Sequence, residues 1–141
     1  MANTPDTLIT QGYQARREHR LANAKQLFAE AVELCRKADD RKRLAKALTG
    51  IGQIERDLHD REAARKHYEE AVTLYRALDD PLRLAHTVRH VGDILQDDGQ
   101  RELAEPCYEE ALEIYREHQE TSPLDLANTI AGFARLKVKT G

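Results

Sequence analysis

Tryptophan is absent from this chain of 141 residues, serine occurs once, and Phe and Tyr together make up only 5% of the sequence. A single large globular core draws heavily on such side chains, so their scarcity favours an architecture with much surface and little interior. No apolar run approaches the roughly 18 residues that a membrane helix needs. The opening Met-Ala-Asn-Thr-Pro-Asp lacks the basic and apolar regions of a secretory signal, so the expected location is cytoplasmic. Charge is balanced: 22 Lys and Arg against 25 Asp and Glu give a net charge of −3 with the signs interspersed. That leaves no basic surface for nucleic acid. The two cysteines, Cys35 and Cys107, form no CxxC pair and read as ordinary thiols in a reducing compartment. There is no Gly-rich phosphate loop, no GxSxG and no HExxH. We expect no catalysis, no cofactor and no metal.

What the chain does have is a period. Gly12, Gly52, Gly92 and Gly132 lie forty residues apart. Ala24, Ala64 and Ala104 keep the same step, as do Phe28, Tyr68 and Tyr108, and then Ala31, Ala71 and Ala111. Self-similarity at a fixed step of this size marks a stack of supersecondary units. Within each unit the apolar residues recur at three and four. Leu44, Leu48, Ile51 and Leu58 form one stripe, and Ala64, Tyr68, Ala71 and Tyr75 form the next. No segment alternates as a strand would. Asp80-Pro81, Thr4-Pro5 and Ser122-Pro123 are caps followed by proline at the first helical position. Gly99 marks a turn between helices, with His19 and His59 at the equivalent places. The reading is seven helices, at about 5–18, 21–38, 41–58, 61–78, 81–97, 100–118 and 123–139.

An aliphatic–Gly pair in the first helix, then Ala-x3-aromatic-x2-Ala in the second, resembles the tetratricopeptide repeat in its longer variant. The instances are Ile51-Gly52 with Ala64, Tyr68 and Ala71, and Val91-Gly92 with Ala104, Tyr108 and Ala111. The resemblance implies an all-α, right-handed solenoid of antiparallel helix pairs in one domain. Its repeats would span about 5–40, 41–80 and 81–120, with a terminal helix at 123–139. The family's tryptophan is missing, and so is the Lys/Asn clamp with which some members hold a C-terminal carboxylate. The matching positions hold Ile9, Tyr13, Gly50, His86 and His90.

In such arrays the first helices line a concave surface, and the resemblance implies a protein-interaction scaffold. The residues opposite the core stripe are Tyr13, Arg16, Arg17, Lys46, Gln53, Arg56, His86, Arg89, His90 and Asp93. They suit a peptide or partner helix carrying acidic groups, gripped by Arg16, Arg56 and Arg89. The alternative is a sensory domain that binds a small acidic peptide or metabolite. His86 and His90, one turn apart with Asp93 nearby, have metal-ligand spacing, but no fourth ligand accompanies them. On the last helix Leu126, Ile130, Phe133 and Leu136 form an apolar face that something should cover. The candidates are a tail from a longer parent chain, a second copy of the chain in a homodimer, or the ligand itself. Packing on the third repeat is the competing explanation.

Overall fold

A computed structural model describes residues 3–140, with side chains through Val138. It contains seven α-helices and, among the described residues, no strand. They are α1 (Pro5–Arg17), α2 (Leu21–Ala38), α3 (Arg41–Asp57), α4 (Arg61–Ala77), α5 (Pro81–Asp97), α6 (Arg101–Glu117) and α7 (Pro123–Thr140). The expected boundaries agree to within a residue. The chain divides into two compact units, Met1–Leu74 and Tyr75–Gly141, with the division inside α4.

The start signals at Thr4 and Asp80 act as expected, and Asp40 adds a third. The Thr4 hydroxyl accepts from the Thr7 amide at 3.1 Å, and carboxylates at Asp40 and Asp80 accept from Arg43 and Arg83 at 3.2 and 3.4 Å. Helices α1 to α5 stop by one device repeated five times. A residue at or just after the cap turns left-handed and its amide bonds back three residues, while the following amide bonds back five. His59 donates to the Arg56 carbonyl at 3.0 Å and Asp60 to that of Glu55 at 2.8 Å. The left-handed residues are His19, Asp39, His59, Asp79 and Gly99, with φ of 60°, 52°, 66°, 53° and 78°. Only Gly99 holds that conformation without cost, since a Cβ there is crowded by its own backbone. His59→Gly is therefore expected to raise unfolding stability by about 1 kcal/mol, read as a higher denaturant midpoint at unchanged slope. Pro106 is a departure from the simple pattern. It sits inside α6, where it removes one helical hydrogen bond.

The recurring small and aromatic residues are the core. Ala24, Ala31, Ala64, Ala71, Ala104 and Ala111 are buried, as are Phe28, Tyr68 and Tyr108. The glycines explain the close helix approach. In the first unit a Cβ on Gly12 would lie 2.8 Å from the Phe28 ring, and one on Gly50 would lie 2.3 Å from it. The ring is thus held between two bare backbones, those of α1 and α3. In the second unit Gly92 and Gly132 flank Tyr108 in the same way, at 3.3 and 2.7 Å.

Candidate functional site

In the first unit, ion pairs join α1 and α3 at both ends. Arg43 Nε donates to Asp6 Oδ1 at 2.9 Å near the two helix starts, and Arg16 Nε donates to Asp57 Oδ2 at 2.7 Å near their ends. The two helices therefore run parallel, side by side. Arg43 holds the Asp6 carboxyl below the ordinary carboxylate range, chiefly through that hydrogen bond. Tyr13 stands half-buried in α1, its ring edge-on to Phe28 with centroids 5.0 Å apart. Burial raises its hydroxyl pKa, so it remains a donor at any physiological pH. Lys46, Gln53 and Arg56 on α3 are partly exposed, and Arg17 is exposed. Arg16 and these five residues belong to the parallel pair α1 and α3. Arg16 is committed to Asp57, so its guanidinium is not freely offered to an incoming carboxylate.

The second unit corrects the sequence reading. Arg89 and His90 are only 7% exposed and Asp93 only 5%. They form a polar core where α5, α6 and α7 meet, in place of a solvated face. Arg89 Nη1 donates to Asp93 Oδ2 at 3.0 Å, and the Tyr108 hydroxyl donates to Asp93 Oδ1 at 2.6 Å. Gln96 Nε2 donates to the Tyr108 oxygen at 2.9 Å and to the Gly132 carbonyl at 3.0 Å. Arg135 of α7 approaches Asp93 at 3.8 Å. Asp93 therefore faces Arg89, Tyr108 and Arg135, and its carboxylate is already used.

His86 and His90 bring their Nε2 atoms to 3.2 Å, and His86 Nδ1 lies 3.2 Å from Asp125 Oδ1 on α7. Among the described residues no group of three His, Cys, Asp or Glu side chains could hold a metal. Burial holds His86 below the ordinary imidazole pKa, Arg89 adds to that, and Asp125 opposes it. The unfolded chain therefore takes up a proton before the folded one, so stability falls as pH drops through about 6.5. His86→Gln is expected to flatten the stability profile between pH 7 and pH 5, with hydrogen exchange in α5 and α7 as the readout. An unflattened profile would put the acid loss elsewhere.

The expected apolar face on α7 is also corrected in part. Leu136 is buried, Phe133 stacks on Tyr108 with centroids 5.9 Å apart, and Leu126 packs against Ala85, Ala111 and Tyr115. Of the four, only Ile130 remains exposed. Packing on the third repeat buries Leu136 and partly covers Leu126 and Phe133.

Two family models, both described as tetratricopeptide repeat, match residues 3–77 and 84–118. The chain belongs to the tetratricopeptide-repeat family. Helical-repeat structures agree with it in fold. BtubC (BKLC) from P. vanneervenii superposes with a TM-score of 0.88 at 21% identity, over 99% of this chain and 59% of that one. The Type III secretion translocator chaperone SycD of Yersinia enterocolitica superposes at 0.76 and 17% identity, over 99% and 89%. This chain thus spans 59% of the length of BtubC. No curated protein matches it by sequence. The fold is an all-α solenoid of tetratricopeptide helix pairs, an architecture of protein-interaction scaffolds. No helix among the described residues is long and apolar enough to cross a membrane.

Proposed function

We propose that this scaffold is non-catalytic and holds an acidic peptide or partner helix against the side-by-side faces of α1 and α3. The observation that supports this is the placement of five polar side chains on one helix pair. Tyr13, Arg17, Lys46, Gln53 and Arg56 all belong to two parallel helices that ion pairs fix at both ends. Cations on a rigid backbone meet carboxylates without a large ordering cost, and a half-buried tyrosine adds apolar contact with a polar tip. Arg89, His90 and Asp93 are set aside as contact residues, because reaching them requires α7 to leave.

Capture of a partner from the native source on the immobilised chain is the test. The double variant Lys46→Glu/Arg56→Glu is expected to lose capture by at least tenfold and to weaken the salt dependence of what remains. Both residues are partly exposed, so the fold should survive. Undiminished capture by that variant would remove this face from consideration.

A further inference from the structure

We propose that His86 and His90 hold a divalent transition-metal ion of the zinc type through their Nε2 atoms, with Asp125 of α7 supporting the site from behind. Residues four apart on a helix share one face, and the structure brings these two Nε2 atoms to 3.2 Å, with the ring planes at 75°. Zinc holds an imidazole nitrogen at about 2.0–2.1 Å, so two such nitrogens in a tetrahedral shell lie about 3.3–3.4 Å apart. A shift of one or two tenths of an ångström suits the pair to a single ion. The pair is not part of the repeat. Forty residues earlier Lys46 and Gly50 stand in its place, eighty earlier Asp6 and Thr10, and forty later Leu126 and Ile130.

The protons are arranged for such an ion. Asp125 Oδ1 lies 3.2 Å from His86 Nδ1, and a carboxylate only accepts, so the neutral His86 ring carries its proton on Nδ1. Its Nε2 therefore offers a lone pair, to which His90 Nε2–H donates in the neutral pair. An ion that takes both lone pairs replaces that one proton, which moves to Nδ1 of the His90 ring. Burial, the largest influence on His86, keeps the ring neutral and able to ligate at pH 7. A ligand imidazole whose far nitrogen donates to a carboxylate is held in orientation and made more basic. Here that carboxylate belongs to another helix, so an ion at the pair would tie α5 to the first turn of α7.

Two charged groups act on His86, with opposite signs. Asp125 favours a cation at the ring and acts more strongly than Arg89, which opposes it. The Arg89 charge is itself answered by Asp93 at 3.0 Å. Among the described residues no third His, Cys, Asp or Glu joins the pair. Water fills the other positions of the shell, and it has access because the His86 side chain is 38% exposed. A site with two protein ligands binds more weakly than the closed four-ligand kind, so the ion acts as a reversible clip on α7 and not as a condition of folding.

The test is a titration of the 141-residue chain with zinc chloride at neutral pH, read by calorimetry and by hydrogen exchange. The chain should take up one equivalent, and protection should rise in α5 and in the first turn of α7. His86→Gln and His90→Gln should each raise Kd at least tenfold. Asp125→Ala keeps both ligands and should raise it about tenfold. His86 is partly exposed, so His86→Gln remains informative even where the variant at the buried His90 fails to fold. His118→Gln, which removes an exposed imidazole beside Glu120, should leave Kd unchanged. Absence of a saturable equivalent overturns the proposal. So does uptake that His86→Gln leaves unchanged, which would mean an adventitious ion only. Undiminished affinity in Asp125→Ala, or protection that rises outside α5 and α7, would overturn the link to α7.

Discussion

Phe28→Ala is expected to cost about 3–5 kcal/mol, and Gly50→Ala, which removes nothing, about 1–3 kcal/mol. The two numbers have one origin. The Phe28 ring is fully buried between Gly12 and Gly50, and a methyl at Gly50 would begin 2.3 Å from one ring carbon and 2.6 Å from its neighbour. Helix propensity alone argues the other way, since alanine is favoured over glycine in a helix interior by nearly 1 kcal/mol. Overpacking wins because the ring has nowhere to go. Gly12 backs it at 2.8 Å, and Tyr13 lies edge-on at 5.0 Å between centroids. Gly52→Ala is the matched control, since its nearest ring atom is 3.1 Å away and a few tenths of an ångström of movement relieve it. Gly50→Ala with Phe28→Leu should cost less than the sum of the single changes, because the smaller side chain leaves room for the methyl. Urea midpoints for the four proteins decide the matter. Strict additivity would mean that the ring does not set the α1–α3 spacing.

Gly50 also shows where the sequence stopped being informative. Gly12, Gly52 and Gly92 announce themselves by keeping the forty-residue step, but Gly50 has no counterpart: the same positions hold Thr10, His90 and Ile130. A residue that serves one contact leaves no periodic trace. The helices are legible almost to the residue because an apolar stripe marks each one and most ends add a capping carboxylate or hydroxyl, or a turn residue. Asp39 and Asp79 carry the left-handed turns between pairs, yet nothing in an Asp-Asp dipeptide separates that role from simple capping.

The polar face of α5 is ambiguous in sequence for a different reason. Arg89, Asp93 and Gln96 follow the same spacing whether water or another helix lies beyond them. Amphipathicity distinguishes the two sides of a helix and does not say what covers the polar one. The clue lay elsewhere, in Thr129, Phe133 and Leu136, which hold the positions of Arg89, Asp93 and Gln96 on the next first helix. Their change to small or apolar types was readable as a face that seeks cover. What they cover is the Tyr108 network.

Asp93→Ala should accordingly be among the most damaging substitutions in the chain, at about 3–5 kcal/mol. The carboxylate is the acceptor on which Arg89 and Tyr108 converge, and it draws in Arg135. Removing it leaves a guanidinium that is nearly dry, with its Nε already lacking a hydrogen-bond partner. Burial holds the Tyr108 hydroxyl well above the ordinary phenol range, and the bond to Asp93 raises it further. The phenol therefore stays protonated in the folded chain while the unfolded chain loses its proton near pH 10. Stability contributed by this site is complete below pH 10 and declines above it. Tyr115, pushed up to about 12 mainly by burial, adds to the same alkaline loss. Replacing the ion pair as a whole separates charge from packing. Arg89→Leu/Asp93→Leu should recover most of what Asp93→Ala loses, since an apolar pair leaves no stranded cation. Hydrogen exchange locates the effect: Asp93→Ala should expose amides of α5, α6 and α7, while those of α1 to α3 keep their protection. Equal loss of protection in α1 to α3 would show that the polar core of the second unit stabilises more of the chain than its own contacts reach.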